Sequence, residues 1–79
     1  MSKGEIEARI KEIFIEALPE LKRNFKFGAK RSRTRHWDSF AHMEIVSQIE
    51  RSFDIELKLR DVIRAESPAQ FVVLVAKEI

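Results

Sequence analysis

Residues 37–57, "WDSFAHMEIVSQIERSFDIEL", decide how the rest of the chain is read. His42, Ile45, Val46, Ile49 and Phe53 recur at helical spacing and define one face. Glu44, Gln48, Arg51 and Ser52 fall largely on the other. The pattern opens after Asp38, a residue type that caps helices, and breaks at "DIEL", which predicts a helix over Ser39–Phe53. Ser39 then sits in the first turn, between Trp37 and Phe40. Asp38–Ser39 is either an ordinary cap, or a cap beside a hydroxyl that carries something.

Upstream, Ser2 with Glu5 three residues later has the capping-box pattern. Ile6, Ile10, Ile13, Phe14, Ala17 and Leu18 follow as one apolar stripe, and Pro19 stops it, so a first helix is expected. Residues 19–37 have no useful period and form a long connection, with Leu21, Phe25, Phe27 and Trp37 as its anchors. Downstream, a short helix is expected from about Leu59 to Ala65. Ser67–Pro68 then reads as an N-cap with proline at the first helical position. The following "FVVLVAKEI" is β-branched enough to pass for a strand. Its cap, and the lack of a second strand to pair with, favour a helix.

The expected fold is all-α: a small four-helix bundle with three longer helices, a short third helix and a long first loop. One domain spans residues 1–79. Its expected core is Ile6, Ile10, Ile13, Phe14, Leu18, Val46, Ile49, Phe53, Val72 and Val75. There is no cysteine, so stability must come from packed apolar faces and not from disulfides or thiolate metal sites. Two histidines are too few for an all-histidine zinc site, and no metal is expected. The charged N-terminus and the brevity of the longest apolar run, "FVVLVA", predict no targeting segment and no membrane span, hence a cytoplasmic protein.

The formal charge of +2 conceals an asymmetry. Seven of the fifteen basic residues lie between Lys22 and Arg35, a stretch without a single acidic residue. The remaining eight face thirteen acidic residues, so the rest of the chain carries a net of five negative charges.

A hydroxyl in the first helical turn projects from the helix end, not from its packed flank. A phosphate attached to Ser39 would lie near the positive end of the helix dipole. Beyond Asp38–Ser39, Phe40, Met43-Glu44-Ile45-Val46, Ile49-Glu50, Phe53, Ile55 and Leu57 stand in one register over about 20 residues. This stretch closely resembles the acyl carrier protein family, whose members place Asp-Ser and an apolar residue at the start of the second helix. The capped first helix, long first loop and short third helix agree with the same resemblance.

The resemblance implies a non-catalytic carrier. A phosphopantetheinyl transferase would move 4'-phosphopantetheine from coenzyme A onto Ser39, supplying the thiol that this cysteine-free chain lacks. The arm would hold acyl groups as thioesters for the acyl-loading and acyl-transfer enzymes of one pathway, in fatty-acid, lipid or polyketide metabolism. Asp38, Phe40, Met43 and Glu44 are the implied partner-recognition positions, with Glu50 a further candidate, and the chain is expected to act as a monomer. The basic stretch "KRNFKFGAKRSRTRH" departs from a family whose loop there is usually acidic or neutral, and Arg51 from a helix that is usually acidic, which implies a specialised carrier with partners of its own.

Two alternatives stand beside this reading. One is an aminoacyl or peptidyl carrier on the same fold. The other is a basic helical module for nucleic acid or a protein partner, with Phe25 and Phe27 stacking on bases and Asp38–Ser39 acting only as a cap. The second is less favoured, because so small a domain needs those phenylalanines as anchors. His42 is expected to be a half-buried structural histidine, and His36 a loop residue rather than a ligand.

Overall fold

The computed structural model describes residues 1–79 and contains four α-helices and no strand. The helices are α1 (Lys3–Ala17), α2 (Ser39–Phe53), α3 (Leu59–Arg64) and α4 (Pro68–Glu78). Short 3-10 turns at Pro19–Lys22 and Arg31–Arg33 punctuate the long connection between α1 and α2.

Three of the four helices start where a side chain can satisfy a free N–H group, and α3 alone has no side-chain cap. At α1, Ser2 Oγ accepts from Glu5 N–H at 3.2 Å while Glu5 Oε1 accepts from Ser2 N–H at 3.1 Å, a complete capping box. At α2, Asp38 Oδ1 accepts from Ala41 N–H at 2.9 Å. At α4, Ser67 Oγ accepts from Gln70 N–H at 3.3 Å, and Pro68 fills the first helical position. The β-branched segment 71–79 is therefore helical to Glu78: Phe71, Val72 and Val75 turn inward at helical spacing and are buried.

α1 packs against both α2 and α4. Phe14 lies at the centre, wholly buried, with its ring edge-on to Trp37 at 5.1 Å between centroids and tilted against Phe71 at 5.9 Å. Nine of the ten expected core residues are buried, whereas Ile13 is half-buried and packs on the margin of the core. Ile45, Val62, Ala65 and Phe71 complete the interior.

His42 departs from expectation. It is buried, with 3% of its surface exposed, because both ring nitrogens find partners inside. The Trp37 indole N–H donates to Nδ1 at 2.9 Å, and Nε2 lies 2.8 Å from the Val62 carbonyl. An indole nitrogen can only donate and a carbonyl can only accept, so the ring is held as the neutral tautomer with its proton on Nε2. One side chain thereby ties the end of the long loop, α2 and α3 together.

The loop is held by backbone as well as by side chains. Ala69 N–H donates to the Phe27 carbonyl at 2.9 Å, and Arg31 N–H to the Glu66 carbonyl at 2.8 Å. Leu21, Phe25 and Phe27 are half-buried against the core, and the two phenylalanine rings meet edge-on at 4.9 Å. Trp37 is buried outright. No helix is long and apolar enough to cross a membrane.

Candidate functional site

The N-terminus of α2 is where the expected functional residues meet. Asp38 caps the helix through the N–H of Ala41, which leaves Ser39 as the first helical residue with its side chain directed outward and exposed. Capping and presentation of a hydroxyl are thus divided between two adjacent residues.

Phe40 follows with 78% of its surface exposed, an unusual exposure for a phenylalanine in a helix whose other face is so well buried. Met43 is 49% exposed one turn further on. Phe40, Met43 and Glu44 line a shallow cleft of about 340 Å³ along α2, together with Ser47, Gln48 and Arg51. Three of the residues expected to recognise partners thus share one open cleft, and Met43 alone of them also lines the cleft that holds Ser39.

Glu50 lies elsewhere. Its Oε2 accepts from Leu57 N–H at 2.8 Å, so this carboxylate anchors the linker after α2 and does not join the exposed surface. The same linker begins with Asp54 in the left-handed conformation, φ 56°, as α2 ends. Arg9, reaching across from α1, donates to the Ser52 carbonyl at 2.8 Å and stands over the Phe53 ring at 5.4 Å.

A second cleft, of about 230 Å³, opens beside Ser39 between α2 and α3. Arg31, Ser39, His42, Met43, Val62 and Ile63 line it. Ile63 and Leu59, one turn apart on α3, are 61% and 66% exposed, and Ile63 faces the same cleft as Met43 and Ser39. Neither α3 residue stood out in the sequence, because six residues are too few for a periodic pattern.

Arg31 was legible only as one member of a charge run. In the fold its Nη2 lies 3.4 Å from Ser39 Oγ and its Nε donates to the Trp37 carbonyl at 3.4 Å. The chain has one ion pair between permanently charged side chains, Arg60 with Asp61, and a contact of 3.1 Å between His36 Nε2 and Glu20 Oε1. None of the seven cations between Lys22 and Arg35 is paired with a carboxylate. His36, exposed and at φ 66°, is a loop residue as expected. No group of three or more His, Cys, Asp or Glu side chains is placed to hold a metal ion.

No family model matches this chain, and no curated protein or solved structure matches it either.

Proposed function

We propose that this chain is an acyl carrier domain that bears 4'-phosphopantetheine on Ser39. The observation that carries this reading is the division of labour at the head of α2. Asp38 satisfies the helix end, so Ser39 Oγ is left exposed as a nucleophile between two apolar ledges, Phe40 with Met43 on one side and Ile63 on the other.

The surroundings fit the group. The serine side chain is open to solvent, an apolar-walled cleft lies beside it, and an uncompensated guanidinium is at hand for a phosphate. In the modification, Ser39 Oγ attacks the phosphorus of coenzyme A that carries pantetheine. A new O–P bond forms, the pyrophosphate bond breaks, the adenosine bisphosphate portion leaves, and the serine proton passes to a base of the transferase. Once bound, the arm supplies a thiol for thioester chemistry, which no side chain of this protein can offer.

The protein's own residues then present and guide; they do not catalyse. Phe40 and Met43 offer apolar contact to the transferase and to the acyl-loading and acyl-transfer enzymes. Asp38 and Glu44 add negative charge at the same edge, steering the encounter with basic surfaces. Whether the cargo is acyl or aminoacyl is decided by those enzymes. The nucleic-acid reading is weakened by the packing of Phe25, which lies against Phe27 and beneath Lys11 at 5.7 Å, and so has little ring face to offer a base.

Co-expression with a broad-specificity phosphopantetheinyl transferase, followed by intact-mass measurement, tests the proposal. Wild type is expected to gain one phosphopantetheine and Ser39→Ala none. An unmodified wild type refutes the carrier reading, and modification of both moves the attachment point away from Ser39.

A further inference from the structure

The basic stretch from Lys22 to Arg35 is not uniform. Arg33 and Arg35 are exposed and have no side-chain hydrogen bond to any part of the protein. Arg31 is half-buried and held twice: its backbone N–H donates to the Glu66 carbonyl at 2.8 Å, and its side-chain Nε to the Trp37 carbonyl at 3.4 Å. Trp37 is itself fixed by the buried bond to His42. The 3-10 turn that carries Arg31 is closed by Thr34 Oγ1 donating to the Lys30 carbonyl at 2.7 Å. A guanidinium is therefore positioned in advance, with Nη2 at 3.4 Å from Ser39 Oγ, Nη1 free, and no carboxylate partner.

We infer that Arg31 forms a built binding site for a phosphate ester on Ser39, clamping the root of the attached group over the cleft between α2 and α3. A neutral hydroxyl is a poor partner for a guanidinium, and the contact is correspondingly long. Esterification places two phosphoryl oxygens two bonds beyond Oγ, on the phosphorus, within reach of Nη1 and Nη2. The long contact is then replaced by charge-assisted bonds of about 2.8 Å. The planar fork suits this task better than an ammonium would. With its root held by Arg31, the group leaves the serine along the cleft walled by Met43, Val62 and Ile63 and not freely into solvent. Asp38 is the carboxylate next to Ser39, and its engagement with Ala41 N–H keeps it on the cap.

For the pantetheine diester this inference rests on the carrier reading; for a simple phosphate monoester it does not. Two arms separate them. In the first, the holoprotein is prepared as wild type, Arg31→Gln and Arg33→Gln, and the phosphorus resonance is recorded by 31P NMR. Wild type and Arg33→Gln are expected to show the same broadened, shifted signal, and Arg31→Gln a sharper one. In the second, phosphoserine is installed at position 39 during translation, and its phosphate is titrated in the same three backgrounds. A phosphoserine has a second pKa of about 6. Loss of the Arg31 partner is expected to raise it by about 0.5 unit, the equivalent of a partly exposed pair. Arg33→Gln should leave it in place, and Arg31→Lys should restore part of the difference. Asp38 is present in every variant and cancels. Should Arg31→Gln fold poorly, Arg31→Lys against Arg33→Gln still reads the fork. Equal behaviour of the Arg31 and Arg33 variants in both arms overturns the clamp. If the transferase adds no arm but the titration shows the Arg31 effect, the carrier reading falls and the phosphate site stands.

Discussion

Trp37→Phe removes one buried N–H and replaces the two-ring indole with a single ring. In the fold that N–H is the donor to His42 Nδ1 at 2.9 Å, between residues 4% and 3% exposed. Without it, Nδ1 becomes a buried acceptor that water cannot reach, at a cost of about 1–3 kcal/mol. The smaller ring adds a void beside Phe14, worth about 1 kcal/mol. A total near 3 kcal/mol lowers the melting temperature by about 18 °C, since a domain of this size shifts by about 6 °C per kcal/mol. The hydrogen-bond share is isolated by a double-mutant cycle with His42→Leu. In the His42→Leu background the indole N–H has already lost its acceptor, so Trp37→Phe removes an unpaired donor and should cost no more than the void. The coupling between the two sites is therefore expected to be at least about 1–3 kcal/mol. Urea unfolding followed by far-UV circular dichroism measures it; fluorescence does not serve, because Trp37 is the only tryptophan. A coupling within about 0.5 kcal/mol of zero would refute the buried bond and the single tautomer inferred from it.

The two residues at the head of α2 should separate cleanly in thermal melts. Asp38→Ala is expected to lose about 1 kcal/mol, because Ala41 N–H loses its cap, whereas Ser39→Ala loses only one long contact at an exposed position and stays within about 0.5 kcal/mol of wild type. The reverse order would put the cap on Ser39. At α1, the backbone N–H of Ser2, and then its hydroxyl, hold the Glu5 carboxyl below its ordinary value of 4.5. A depressed folded-state pKa contributes stability above the unfolded value and loses it as pH falls through the folded one. The stability gap between wild type and Glu5→Gln should accordingly narrow in melts taken below pH 4.5, and a constant gap would deny the charged capping box. Arg9→Ala should cost about 0.5–1 kcal/mol by freeing the Ser52 carbonyl and uncovering Phe53, and Arg9→Lys should recover only part of it. Equal stability of Arg9→Lys and wild type would mean that the guanidinium geometry is irrelevant there.

The helices were legible because their signals are local. Capping residues at Ser2, Asp38 and Ser67 lie within three residues of the N–H groups they serve, and the stripes that face the core repeat within one element. The last helix shows local chemistry prevailing over propensity: Ser67 and Pro68 start a helix, and the β-branched residues after them pack inward at helical spacing. What escaped the sequence is what depends on partners far along the chain. His42 looks half-buried when only α2 is considered. Its burial needs a donor five residues earlier, in the loop, and an acceptor twenty residues later, on α3. Glu50 reads as a solvated charge until the linker doubles back and places Leu57 N–H upon it.

The basic loop makes the same point for function. Composition shows seven cations together, but nothing in their spacing sets one apart. Selection comes from the backbone bond of Arg31 to Glu66 and from the seating of Trp37 on His42, both contacts that fix where the loop ends. The buried polar pair and the exposed serine are thereby two sides of one device. Trp37 and His42 hold the loop against α2, and the loop delivers a single guanidinium to Ser39. A change in the core at Trp37 should thus be felt at the surface. Trp37→Phe, if it loosens the loop, ought to sharpen the phosphorus resonance of a Ser39 ester much as Arg31→Gln does, although residue 37 never touches the phosphate. An unchanged resonance in a folded Trp37→Phe protein would show that Arg31 is positioned by its backbone bond alone.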